Sequence, residues 1–207
     1  MSTKVVLATR NAHKVEELRE ILADVSADLG LEIIGLDAYP DAPDVVEDGV
    51  TFEQNAILKA ASAAHATGLP ALADDSGLTV DVLGGAPGIF SARWSGGGGD
   101  RANVELLLAQ LGDVRDEHRA ASFVCAAALV LPDGRSAAEL GRFPGTVARP
   151  PRGTGGFGYD PVFVPSDQQD GNERTLAEYD PDEKNHVSHR ALAFRALAPH
   201  LKEHLRP

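Results

Sequence analysis

Residues 71–96 read ALADDSGLTVDVLGGAPGIFSARWSG. The first part has the composition of a strand ending in two adjacent carboxylates, Asp74 and Asp75, followed by Ser76 and Gly77. Successive strand side chains point to opposite faces, so the two acids are expected to do different jobs. One faces a cleft while the other braces a neighbouring element. Gly84-Gly85-Ala86-Pro87-Gly88 then makes a stiff, tightly turned loop that leads to Arg93 and the only tryptophan, Trp94. A carboxylate pair near a rigid glycine loop, with an arginine beyond it, suits magnesium and phosphate chemistry. Asp-Asp-Ser-Gly taken alone equally suits a turn, so the rest of the chain has to decide.

Length and charge narrow the choice. A chain of 207 residues has room for one domain, read here as two lobes over residues 1–207. A net charge of −12 argues against nucleic-acid or anionic-membrane partners, because an acidic surface is repelled by polyphosphate. A small phosphorylated ligand remains compatible if its site gathers a few cations. The single cysteine, Cys125, sits in the apolar run FVCAAALVL and reads as an inert buried thiol in a reducing compartment. The opening MSTKVVLATRNAHK turns polar after one short apolar run, unlike a secretory signal. A cytoplasmic protein is therefore expected.

Along the chain, KVVLA (residues 4–8) reads as a strand running into Thr9, Arg10 and Asn11. A helical stripe of Val15, Leu18, Leu22 and Val25 follows, with Asn11 as N-cap and Lys14 in the first turn. A strand that delivers a capped helix N-terminus is a ready anion site, although an ordinary capped helix reads the same way. LEIIGL (31–36) reads as a second strand, followed by an acidic loop carrying Glu47 and Asp48 before Gly49. Thr51 and Gln54 have capping-box spacing at the head of an alanine-rich helix. Lys59 on that helix faces either solvent or a cleft.

Asp100 is expected to cap a helix with Val104, Leu107, Leu108 and Leu111 on its core face. Two strand-like runs around Pro132-Asp133-Gly134 read as an antiparallel hairpin, either a flap or a dimerisation edge. Gly153, Gly155 and Gly158 match G-x-G-x-x-G, but a double proline precedes them and a strand-like run follows. A dinucleotide fingerprint must follow a strand and open a helix, so that reading is rejected in favour of a flexed loop presenting Phe157 and Tyr159. Pro181 starts a short helical turn holding Lys184. Ser188 is placed to cap a last helix with Leu192, Phe194, Leu197, Leu201 and Leu205 towards the core, kinked or split at Pro199. His200 and His204 have metal-ligand spacing but lack a third ligand in the sequence nearby, so solvated histidines are expected.

The motifs TRNAHK, VVEDG, TFEQNAILKA, LADDSGL, GGAPGIFSARWSG, GTGGFGYDP and EKNHVSHR, in this order, resemble the inosine/xanthosine triphosphate pyrophosphatase family. The resemblance covers nearly the whole chain. It implies an α/β fold with an elongated mixed sheet flanked by helices, in two lobes with an active-site cleft between them. It further implies a magnesium-dependent homodimer that hydrolyses aberrant purine nucleoside triphosphates (ITP, dITP, XTP) to monophosphate and pyrophosphate. Maf-like pyrophosphatases of modified nucleotides and a non-catalytic nucleotide-binding protein are the rival readings. By the resemblance, Thr9, Asn11 and Lys14 contact phosphate, Glu47 and Asp75 hold Mg²⁺, and Asp75 accepts a proton. Ser76, Phe157, Gly158, Tyr159, Asp160, Lys184, His189 and Arg190 match the remaining substrate contacts. On charge grounds Lys59 and Arg93 are candidates to complete the phosphate clamp beside Lys14. His189 and Arg190 are expected to donate to the 6-oxo group of the purine.

Overall fold

Six strands pair in the order β2-β1-β3-β4-β5-β6 in the computed structural model, which describes residues 2–168, 173–180 and 188–206. The strands are β1 (Thr3–Leu7), β2 (Leu31–Gly35), β3 (Ala71–Val80), β4 (Ala120–Val130), β5 (Ser136–Val147) and β6 (Phe163–Pro165). β1 is parallel to both β2 and β3, whereas β5 and β6 are antiparallel, so the sheet is mixed. The helices are α1 (Ala12–Ile21), α2 (Ala23–Leu29), α3 (Phe52–Thr67), α4 (Gly99–Gln110) and α5 (His189–His204). The class is α/β, as expected.

Chain contacts divide the molecule into two compact units. The first comprises Met1–Asp75, Cys125–Gly141 and Arg190–Pro207. Its core joins Val5 and Leu7 of β1, Val15 and Leu18 of α1, Leu72 of β3, Cys125 and Leu129 of β4, and Phe194, Leu197 and Leu201 of α5. The second comprises Ser76–Val124 and Arg142–His189. Its core gathers Leu78, Val104, Leu107, Phe123, Phe143, Tyr159 and Phe163.

The apolar run 123–131 is buried without alternation, so both faces of β4 are covered. β5 instead alternates between buried and exposed over its second half, the signature of a strand with one wet face. The turn between them is closed by hydrogen bonds from Gly134 N to Leu131 O and from Leu131 N to Arg135 O.

Several local expectations change. The helical stripe over 15–25 breaks at Leu22 into α1 and α2. β3 runs straight through Ser76 and Gly77 rather than turning there. Thr51 accepts from Gln54 N, but Gln54 Oε1 turns to Val50 N at 2.8 Å, so the box is only half made. Asp100 lies inside α4 instead of capping it. α5 is not split at Pro199, since Leu197, Leu201 and Leu205 hold both halves on the core. Such packing outweighs the roughly 3 kcal/mol that an interior proline costs. Leu192 points outward, away from the face set by Phe194 and Leu197.

Candidate active site

In the first unit, β1 ends at Leu7 and delivers the N-terminus of α1. Asn11 caps it, accepting from His13 N at 3.0 Å, and Thr9 Oγ1 accepts from Asn11 N at 3.2 Å. This is the predicted strand-to-helix anion geometry, with Lys14 in the first turn. Lys14 Nζ donates to Asp74 Oδ2 at 3.4 Å.

The two adjacent acids take separate partners, as strand alternation requires. Asp74 is buried and is bonded by Lys14 and by Arg190, whose Nη1 also donates to Glu17 at 2.8 Å. Burial alone would push the Asp74 carboxyl up. The charges of Arg190, Lys14 and Lys59 overcome this and hold it well below the usual carboxylate range. Asp75 faces α3: Lys59 Nζ donates to Oδ1 at 3.2 Å and Asn55 Nδ2 to Oδ2 at 3.1 Å. Its carboxyl is raised, chiefly by burial and also by Glu47, against the opposing pull of Lys59 and Asn55.

Glu47 reaches the same place from the acidic loop, with Oε2 also 3.2 Å from Lys59 Nζ. Two carboxylates from distant parts of the chain thus converge on one ammonium, which is 18 % exposed. An all-oxygen donor set gathered around one cationic position has the chemistry a hard divalent ion requires. These residues fit Mg²⁺ on that ground. Lys59, which the sequence leaves undecided between solvent and cleft, is at the centre of the cluster. A cavity of about 380 Å³ opens beside it, lined by Thr9, Arg10, Asp44, Glu47 and Lys59 among others.

The second unit holds Ser76, the 157–160 loop and His189. Three of the loop's polar groups are internal braces. Asp160 Oδ2 accepts from Phe157 N at 2.7 Å, Gly158 N donates to Asp100 Oδ2 at 2.8 Å, and buried Tyr159 donates its hydroxyl to Ser91 O at 2.9 Å. A Cβ on Gly156 would run into the Asp160 carboxylate, so glycine is required where that carboxylate folds back. What the loop presents outward is the Phe157 ring, 70 % exposed. His189 stacks on Phe123, with ring centroids 5.1 Å apart and 15° between planes.

Lys184 lies outside the described residues. Arg93 is exposed over the Phe90 ring. At the far end of α5, Glu203 supplies the third group that the sequence reading did not find beside His200 and His204. His200 is already paired with Glu139 at 3.0 Å, as on a solvated helix end. Sequence reasoning missed Asn55, although its place one turn before Lys59 in TFEQNAILKA is a usable signal: both side chains fall on one helix face.

Comparison with known proteins bears on the family and the fold. The Ham1 family profile matches residues 5–200. The dITP/XTP pyrophosphatase of Streptomyces avermitilis is 60 % identical over 202 residues, covering 97 % of this chain and 98 % of that protein. Its counterpart in Leifsonia xyli is 53 % identical over 99 % of this chain and 98 % of its own. Among solved structures, the HAM1 protein of Coxiella burnetii superposes with a TM-score of 0.85 at 42 % identity, over 97 % of this chain and 99 % of that one. The nucleoside-triphosphatase of Mycobacterium abscessus gives 0.79 at 49 % identity, over 96 % of this chain and 100 % of its own. A match of this length at these identities, over a fold already described, places the chain in the Ham1 family.

Proposed function

We propose that this chain is a Mg²⁺-dependent nucleoside-triphosphate pyrophosphatase. It hydrolyses aberrant purine nucleoside triphosphates (ITP, dITP, XTP) to the monophosphate and pyrophosphate. The observation that carries the reading is the convergence of Glu47 and Asp75 on Lys59 beside the middle of β3. The names of the relatives point to the same reaction.

A nucleoside triphosphate brings about four negative charges, so neutralising and positioning them is most of the catalytic problem. Glu47 and Asp75 would hold the metal, which when bound supplies charge neutralisation at phosphate oxygens. Lys14 and Lys59 supply cations, and the α1 N-terminus with Thr9 and Asn11 offers donors to a phosphate group. Asp75 orients the attacking water and accepts its proton. Phe157 offers its exposed ring to the base. Arg190 spends Nε, Nη1 and Nη2 on Asp74 and Glu17. That commitment supports a bracing role for it rather than base reading.

Incubation with ITP and Mg²⁺ tests the reading: inosine monophosphate and pyrophosphate are expected in equal amounts. Orthophosphate with the diphosphate would reject the assigned bond, and nucleotide binding without turnover would favour a non-catalytic binder. Preference for modified pyrimidine triphosphates would favour the Maf-like alternative. We further propose a cytoplasmic homodimer, a reading supported by the family resemblance and checked by solution mass. No helix among the described residues is long and apolar enough to cross a membrane.

A further inference from the structure

Asn55 sits on α3 one turn before Lys59 and is 1 % exposed. The two side chains divide the Asp75 carboxylate between them: Lys59 takes Oδ1 at 3.2 Å and Asn55 Nδ2 takes Oδ2 at 3.1 Å. An ionised carboxylate only accepts hydrogen bonds, so this contact fixes which way the Asn55 amide faces. Its Oδ1 is thereby turned away, and it is buried with no hydrogen-bond partner among the described residues. On that side stands Gly49, two residues after Glu47. A Cβ built there would come 2.6 Å from Asn55 Oδ1 and 2.8 Å from Gln54 Cβ. The amide is therefore wedged between the strand that carries Asp75 and the loop that carries Glu47.

The stabilising bond that this asparagine makes is the one to Asp75, and its own oxygen is a cost set against it. An unsatisfied buried acceptor is costly, and folded proteins keep few of them. Leucine has nearly the same shape and would remove that oxygen, at the cost of the donor to Asp75 Oδ2. A residue kept against that cost at the junction of two metal-binding acids is explained by what it does to them.

We propose that Asn55 is the positioning residue of the Glu47–Asp75 pair. By holding Oδ2 of Asp75 it turns Oδ1 towards the position shared with Glu47. By packing its carbonyl against the glycine at 49, it sets how closely the acidic loop approaches. The inference rests on the functional reading above, in that it takes these two acids as the cation ligands.

Asn55→Leu separates positioning from packing, because it removes the donor and the orphaned oxygen together. Partners that orient metal ligands commonly contribute about 10–100-fold in affinity or activity. The expected result is a chain that still folds, its Tm lowered by no more than the loss of the bond to Asp75 Oδ2, with Mn²⁺ affinity, titrated by EPR without nucleotide, weakened by at least about tenfold. In turnover, kcat for ITP should fall by about 10–100-fold with KM nearly unchanged. Unchanged Mn²⁺ affinity, or a loss of activity that only tracks a lowered Tm, would overturn the proposal.

Gly49→Ala approaches the same amide from the other side and serves if the leucine variant does not fold. It should also weaken Mn²⁺ binding in a folded protein, and unaltered affinity there overturns the idea. If the unmodified chain binds Mn²⁺ but releases no pyrophosphate, the functional reading fails while the Mn²⁺ arm still decides the role of Asn55. A chain that binds no Mn²⁺ at all overturns the positioning role whatever its activity.

Discussion

Arg190 grips Asp74 through two donors on one oxygen, with Nε at 3.2 Å and Nη2 at 3.1 Å from Oδ2. Both side chains are nearly excluded from solvent, with 11 % and 7 % exposed. Breaking a buried pair by removing one partner typically costs about 3–5 kcal/mol. Asp74→Asn is therefore expected to destabilise the fold by about 3 kcal/mol, readable in urea denaturation. The folded-state pKa of Asp74 is depressed, so its contribution is complete well above the ordinary value of 3.8 and fades as pH falls below it. The stability gap between the mutant and the unmodified chain should close in strong acid. A gap that persists unchanged at low pH would mean that Asp74 acts through packing rather than charge.

Arg190→Ala follows from the same pair. It takes the guanidinium from Asp74 and Glu17 and leaves Asp74 its weaker contact with Lys14, so a lowered Tm is expected together with an equal proportional fall in kcat/KM for ITP and ATP. A selective loss for ITP would restore base reading to this arginine.

Asp75→Asn should behave in the opposite way to Asp74→Asn. The folded state raises the carboxyl of Asp75, so ionised Asp75 is a burden at neutral pH and an amide relieves it. We expect a Tm unchanged or higher, with turnover reduced by roughly 10²–10⁴ through loss of the proton acceptor. Substantial activity in a folded mutant would remove Asp75 from the proposed reaction.

Lys59→Met leaves Glu47 and Asp75 facing each other without the ammonium they share. Its Tm should fall in metal-free buffer and recover on adding Mg²⁺. The gain should exceed that of the unmodified chain, since like charges then have only the added cation to neutralise them. Equal Mg²⁺ shifts in both proteins would show that the acids do not share a cation position.

Phe157→Ala tests the loop. A largely exposed ring supports little of the core, so stability should change by less than about 0.5 kcal/mol. Stacking on a base is worth roughly 1–3 kcal/mol, so KM for ITP should rise at least several-fold with kcat nearly constant. An unaltered KM would place the base elsewhere.

What the sequence made legible was local. The Asn11 cap, the separate partners of Asp74 and Asp75, and the rejection of a dinucleotide loop all follow from spacings of a few residues. Period-two alternation and capping chemistry act over that range. Contacts between distant segments had no such signal. Arg190 meets Asp74 across 116 positions and Gly158 meets Asp100 across 58. Asp100 therefore read as a cap, because nothing within α4 announces a partner in another loop. Lys59 was ambiguous for a related reason: an amphipathic pattern shows that a lysine leaves the core face, not what awaits it. Pro199 failed as a helix breaker because leucines on both sides anchor the helix.

The short parallel pairing of β3 with β1, Val6 opposite Ala71 and Leu7 opposite Leu72, lies only a few residues before the two acids. A slip of one residue would bring only one acid to the other's place: Asp74 to Lys59 with Ala73 left opposite Arg190, or Asp75 to Arg190 with Ser76 left opposite Lys59. Such a molecule would be intact by composition and charge yet would have lost one of its two acid contacts. Alignment fidelity at Leu72 is thus a functional property. A single-residue deletion between 71 and 74 should be less forgivable than almost any substitution in the same stretch.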